Sequence, residues 1–250
     1  MSSDPVRRLM ELGRDLQNIP LARIPPSFTK VAFICVNTFE SFRFGLGKGP
    51  LEDAVRFAKI FRFYGFELYF LKTPHVRNFL RYFDPLIERT SEHLVTLYLG
   101  HEVYKLQSTE KEEAFCFDDG VIKDEEIIQH IVEKKQPNAQ LTLFTDACRP
   151  GSIWDIDEGS VCGIKLPPNI LSIAASNNNP DSGITTIQAR LESGMFTDLI
   201  VKALKNNSAV SPNTLENKLK KSLLDYHQTF VVGTSSPELL DKPLFYNEFE

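Results

Sequence analysis

A six-stranded, mainly parallel α/β sheet with helices on both faces is predicted by three features of this 250-residue chain. Between residues 31 and 232, short apolar runs alternate with segments of helical periodicity, and parallel strands need such crossover helices between them. The apolar runs, such as Leu141-Thr142-Leu143-Phe144, have the composition of strands buried on both faces. A hydrophobic content of 42% and a charged content of 24% are those of an ordinary globular protein with a sizeable core.

Val6, Leu9, Met10, Leu12 and Leu16 stand at helical spacing and predict an amphipathic helix over residues 5–17. Residues 18–27, with Pro20, Pro25 and Pro26, predict an extended connector. This leader reads as a wrap around the fold in preference to a docking arm. Residues 31–36 form the first strand. Residues 51–64 form a helix with Val55, Ala58 and Phe61 inward, closed by Gly65. Residues 67–71 are the second strand, and residues 76–82 a helix that Pro85 interrupts. The third strand spans 94–100. Residues 103–117 suit a surface hairpin turning at 108–111. A helix over 124–134 has Asp124 as its N-cap. Residues 141–147 and 170–175 are the fourth and fifth strands. Helices follow at 193–206 and 212–226, the second capped by Ser211, and residues 229–232 make the sixth strand.

A net charge of −5 argues against nucleic acid or an anionic membrane as partner. Cys35, Cys116, Cys148 and Cys162 lack both metal-ligand spacing and disulfide-framework density, which suggests a reducing compartment. The N-terminus carries no apolar core of a signal peptide, and no window is apolar enough to span a bilayer. A cytoplasmic, soluble protein is expected.

Two strand ends carry the chemistry. The fourth stops at Asp146-Ala147-Cys148, followed by Arg149-Pro150-Gly151, which continues neither strand nor helix. The third ends in His101. A lone cysteine is ordinarily a small buried hydrophobe. A thiol and an imidazole delivered to one rim by neighbouring parallel strands suit thiol hydrolysis instead, with the imidazole holding the thiolate and protonating the leaving amine. The backbone N–H groups of Glu102 and Cys148 are candidate oxyanion donors, and losing one such donor costs roughly 3 kcal/mol in the transition state.

Four motifs in order resemble those of the metacaspases, caspase-fold cysteine peptidases. Tyr98-Leu99-Gly100-His101 resembles Tyr-Ser-Gly-His-Gly, and Asp146-Ala147-Cys148-Arg149-Pro150-Gly151-Ser152 resembles Asp-Ser-Cys-His-Ser-Gly-Ser. The stretch from Asp119 to Ile127 resembles Gly-X-Ile-X-Asp-Asp-Glu-Ile, and Gly233-Thr234-Ser235-Ser236-Pro237 through Phe245 is similar to the closing Ser-Ser-Ser-His-Pro and Leu-Phe. Ala147-Cys148-Arg149 is also similar to the caspase motif Gln-Ala-Cys-Arg-Gly. The resemblance implies a caspase-like domain over residues 28–250 after a leader of residues 1–27, with His101 and Cys148 catalytic.

The resemblance implies that Asp146, where caspases have glutamine, and Asp53, at the end of the first loop where the family has its other pocket carboxylate, line a pocket that would bind Arg or Lys and repel Asp. Asp53 reads equally as a first-turn acid favoured by the helix dipole. The resemblance further implies calcium ligands at Asp124, Glu125 and Asp155, although an N-cap with solvated acids explains these residues as well. It implies a monomer acting on protein or peptide substrates with a basic residue before the scissile bond. Three positions depart from the family pattern: Glu102 replaces a glycine, Leu99 a small hydroxyl residue, and Arg149 a histidine that here can pair with Glu102 or Asp146.

The alternative reading is therefore a caspase-fold homologue without turnover, acting as a regulatory or binding protein. A nucleotide-binding role for Gly45-X-Gly47-X-Gly49 fails both the dinucleotide and the P-loop spacing. Lys165 is a conceivable self-cleavage point. Lys218 to Lys221 reads as a solvated helix face, Cys35 and Cys116 as core, and Cys162 as exposed.

Overall fold

The computed structural model describes residues 4–39, 45–100, 102–104, 113–147, 154, 156, 159–177, 186–206, 209–224 and 228–246. Asp4 caps α1 (Pro5–Leu12), its carboxylate accepting the Val6 N–H at 3.2 Å, with Pro5 at the helix start. The helix is shorter than its periodicity predicts because Gly13 turns the chain into extended backbone. Arg14 and Asp15 then form β1 (Arg14–Asp15), which pairs in parallel with Tyr69 and Phe70. At Gly13 the chain passes so close to its neighbour that a Cβ would stand 2.7 Å from the Leu68 side chain and 2.9 Å from its carbonyl oxygen. Leu9 of α1 and Leu16, in a short turn after β1, are fully buried, so the leader lies against the fold on both sides of β1.

β2 (Phe28–Val36) leads to α2 (Gly49–Phe63), which ends as predicted at Gly65. There φ is +81°, and the N–H groups of Gly65 and Phe66 return to the carbonyls of Arg62 and Phe61. β3 (Glu67–Lys72) is followed by α3 (Val76–Arg89), which runs straight through Pro85. The expected break at this proline does not occur, because the buried stripe of Phe79, Tyr82, Phe83, Leu86 and Ile87 continues past it. Burying Leu86 and Ile87 stabilises by about 1.5–3 kcal/mol each, which offsets the roughly 3 kcal/mol cost of an interior proline.

β4 (Thr90–Gly100) is longer than predicted. The surface hairpin appears as β5 (Glu102–Tyr104) and β6 (Glu113–Phe117), and β7 (Gly120–Lys123) extends it to three strands. α4 (Asp124–Lys134) has the predicted span, but Lys123 occupies its N-cap and Asp124 is its first helical residue. β8 (Gln140–Ala147) precedes a small hairpin within a stretch read as loop, β9 (Ser160–Val161) and β10 (Ile164–Lys165). Its turn residues Cys162 and Gly163 have φ of 48° and 78°, as a two-residue turn between twisted strands requires. Lys165, the conceivable self-cleavage point, is therefore paired with Ser160. β11 (Ile170–Asn177), α5 (Thr186–Asn206), α6 (Pro212–Leu224) and β12 (Gln228–Thr234) complete the chain, and the Ser211 hydroxyl caps α6 by accepting the Thr214 N–H.

Among the described residues seven strands form one sheet in the order β1-β3-β2-β4-β8-β11-β12. All pairings are parallel except β11 with β12. The six predicted strands are present, and β1 adds a short seventh at the edge. One core face carries Leu97, Leu99, Phe144 and Ile173 against α1, α2, α5 and α6. The other carries Phe33, Tyr98, Leu143 and Ile170 against α3, α4 and the β5–β7 sheet. Cys35 lies in this second core, where burial pushes its thiol far up and keeps it protonated. Cys116 is partly buried and Cys162 exposed.

Gly13→Ala is expected to destabilise the protein by about 1–3 kcal/mol, as overpacking does, because the Leu68 carbonyl cannot yield as a side-chain tip can. Urea unfolding checks this, and an unchanged midpoint would show that the leader tolerates a shift away from β3.

Candidate active site

β4 and β8 run in parallel, and their pairing closes with Leu99 opposite Asp146 and Gly100 opposite Ala147. Hydrogen-bonded neighbours stand about 4.7–4.9 Å apart, so both chains leave the sheet side by side at its carboxyl rim. An open α/β sheet places ligands at such a rim. His101 and Cys148 directly follow these two ends in sequence and lie outside the described residues, as do Arg149 and Asp155. Glu102 begins β5, its backbone in register with Phe115.

The rim is braced on the α3/α4 side. The Tyr98 hydroxyl donates to the Cys116 carbonyl at 2.6 Å, and its ring meets Phe115 edge-on at 4.6 Å. Phe115 in turn packs against Trp154 at 5.1 Å, and Trp154 Nε1 donates to Thr145 Oγ1 on β8 at 3.1 Å. Trp154 holds a left-handed φ of 59°, uncommon for a bulky residue, and these contacts hold it there.

On the opposite face the site is acidic. Strand alternation puts Asp146 on the same face as Phe144, toward α2 and α5. Asp146 is buried, and its Oδ2 accepts a hydrogen bond from the fully buried Thr197 hydroxyl at 2.8 Å. Asp53 points inward from α2 and is also buried. Its two carboxylate oxygens lie 3.8 and 3.9 Å from where a Cβ on Gly194 would stand. Gly194 and Thr197 are one turn apart on α5, so one helix face touches both carboxylates. Glu52, not Asp53, is the solvent-facing first-turn acid of α2, and it pairs with Arg8.

Burial pushes the Asp53 carboxyl up to about 7, the nearby Arg56 opposing and Glu52 and Asp198 adding to the rise. Arg56 Nη1 lies 3.6 Å from Asp53 and 3.8 Å from Asp198, which also pairs with Lys202. Asp146 is driven well above the ordinary carboxylate range, first by burial and then by the charge of Asp53, against hydrogen bonding from Thr197. Leu99, its register partner, is buried beside it and supplies no hydrogen bond. Two buried carboxylates with so few partners among the described residues suit a cationic side chain brought in by a ligand.

Of the calcium ligands that the resemblance implies, Asp124 and Glu125 are among the described residues. Asp124 is buried and its Oδ1 accepts the Glu125 N–H at 2.8 Å. Among the described residues no group of three acidic, histidine or cysteine side chains converges on a common point. Asp155, the third of the implied ligands, lies outside the described residues.

Thr197, Gly194 and Arg56 escaped the sequence reading. Helical periodicity marked α5, but no local signal says which of its faces meets a strand end far away in sequence.

A family model described as Caspase domain matches residues 29–237. Among solved structures, a protein from Geobacter sulfurreducens superposes with a TM-score of 0.65 at 16% identity, covering 88% of this chain and 99% of its own. Caspase-1 from Spodoptera frugiperda gives 0.60 at 14% identity, covering 88% and 94%. The Drosophila initiator caspase Dronc gives 0.58 at 15%, covering 87% and 85%. These likenesses show the fold. No curated protein sequence matches the chain.

The acid pair should cost stability as pH rises. With the Asp53 carboxyl raised from 3.8 to about 7, the folded state keeps a proton that the unfolded chain releases across that window, so stability falls from about pH 4 to pH 7. A rise of this size, with the opposing pull of Arg56 already included, corresponds to on the order of 4 kcal/mol. Asp53→Asn is expected to raise stability by about 1–3 kcal/mol at pH 8 and by little at pH 4. Thermal unfolding at both values checks it, and an equal effect at the two would sink the assignment.

Proposed function

The chain belongs to the caspase-domain family, and from that premise we propose that it is a cysteine endopeptidase of metacaspase type, cleaving after arginine or lysine. The observation that carries this reading is the register of β4 and β8. It makes Gly100 and Ala147, the residues before His101 and Cys148, neighbours on one rim, with Asp146 of the acid pair next to Ala147.

In the proposed reaction the Cys148 thiolate attacks the scissile carbonyl carbon. The backbone N–H groups of Glu102 and Cys148 hold the resulting oxyanion. The His101 imidazolium protonates the leaving amine as the C–N bond breaks, leaving a thioester. Water, deprotonated by His101, hydrolyses that thioester and restores the thiol. Asp53 and Asp146 hold the guanidinium or ammonium of the substrate in the pocket behind the reacting carbon. Attack by a thiol needs no cation, and no step here uses calcium at Asp124, Glu125 or Asp155.

Substrates are proteins or peptides with a basic residue at the cut, and the enzyme is read as a monomer. A cytoplasmic setting belongs to the same proposal, resting on the sparse cysteines, of which Cys35, Cys116 and Cys162 are not disulfide-bonded. Among the described residues no helix is long and apolar enough to cross a membrane.

A second reading, a caspase-fold regulatory protein without turnover, is favoured by Leu99, which seals one side of Asp146 with hydrocarbon. Fluorogenic peptides ending in Arg, Lys or Asp separate the two. Cleavage after Arg and Lys is expected at least about 100-fold above cleavage after Asp, a difference of about 2.7 kcal/mol in transition-state binding. Cys148→Ala should reduce it to background. Equal signals from both proteins would favour the scaffold.

A further inference from the structure

The acid pair has a third participant. Asp146 receives nothing from its strand neighbour Leu99, and its Oδ2 is held by the buried Thr197 hydroxyl at 2.8 Å. One turn earlier on the same helix, Gly194 lies against the Asp53 carboxylate, whose oxygens are 3.8 and 3.9 Å from its Cβ position. Thus α5 forms a wall that touches both acids, with a hydroxyl donor at one and a glycine at the other. Among the described residues, the remaining charged groups around the pair are Glu52 and Arg56 on α2 and Asp198 on α5; Arg149 lies outside them. Glu52 is engaged by Arg8 of α1, and Asp198 by Lys202. Arg56 stands nearer the Asp53 side, so Thr197 is the donor that serves Asp146.

We propose that Thr197 is a positioning residue for recognition of a guanidinium or ammonium side chain: its hydroxyl fixes the Asp146 carboxylate and keeps it available, with Asp53, as one anionic pocket. The proposal rests on the acid-pocket reading above and adds to it the element that sets the pocket's charge. With the hydroxyl removed, a buried carboxylate loses its side-chain donor and takes up a proton more readily. The pocket then meets an incoming cation with less charge. Such a loss weakens ground-state and transition-state binding alike, so KM rises while kcat stays nearly constant.

Agmatine, an alkyl guanidinium that fills the pocket without presenting a scissile bond, reads binding independently of turnover. Calorimetry on the full chain from pH 6 to 8.5 compares the native protein with Thr197→Val, Thr197→Cys, Thr197→Ser and Asp146→Asn. Thr197→Val is expected to weaken agmatine about tenfold at pH 7, the loss typical of one hydrogen bond to a charged group. It should also move the acid limb of the binding profile upward by about one pH unit. Serine should restore native binding within about twofold and cysteine, a weak donor, should fall between. That graded order keeps the test open if the valine variant folds poorly. If valine, cysteine and native proteins bind alike with the same pH midpoint while Asp146→Asn abolishes binding, Thr197 is merely structural and the proposal falls, with the acid pocket intact. If the native protein binds no agmatine at any pH, the pocket reading falls as well, and cleavage of the Arg and Lys peptides then reports separately on turnover.

Discussion

The parallel pairing of β4 with β8 is the constraint on which the rest of the molecule depends. Its register is locked because both strands are buried on both faces: Phe144 packs against Phe57 at 5.5 Å and Phe61 at 6.3 Å, while Leu143 faces the other core. A slip of one residue would carry Phe144 out of its ring cluster and turn Asp146 toward α3 and α4. The same pairing that fills two cores therefore decides where a carboxylate emerges and where two reactive segments begin.

Holding Asp53 and Asp146 side by side conflicts with stability, and the surroundings do not fully resolve the conflict. Thr197 and Arg56 each serve one carboxylate, while Leu99 and the neighbouring acids work against ionisation. Local departures from good packing rules at a site where a ligand must complete the charge balance are a mark of function. The bracing on the other face, from Tyr98 through Phe115 to Trp154 and Thr145, stiffens the rim that carries them.

Most secondary structure was legible because burial leaves a periodic trace. The strands stood out as apolar runs, and Gly65 and Ser211 announced helix ends by chemistry that acts within a few residues. The misreadings share a different origin. Pro85 looked like a break, but the stripe from Phe79 to Ile87 keeps α3 intact by packing against the sheet. The first helix looked longer because Leu16 keeps its spacing, yet Leu16 is buried from a separate turn after Gly13 presses against Leu68. β7 and the β9–β10 hairpin are too short to carry a pattern of their own, and each forms only because a partner strand is supplied.

By itself the sequence determined the fold class, the order of elements and the strand ends that lead to His101, Asp146 and Cys148, since each rests on periodicity or on a motif contained in a short stretch, while Asp53 was a candidate through the family resemblance alone. Only the tertiary structure decided that Asp53 turns inward, that α5 brings Gly194 and Thr197 to the two acids, and that Asp124 serves its own helix. The physical reason is that a carboxylate's environment is set by burial and by groups distant along the chain, and hydrophobic packing, which has no sequence-local address, is what brings those groups together.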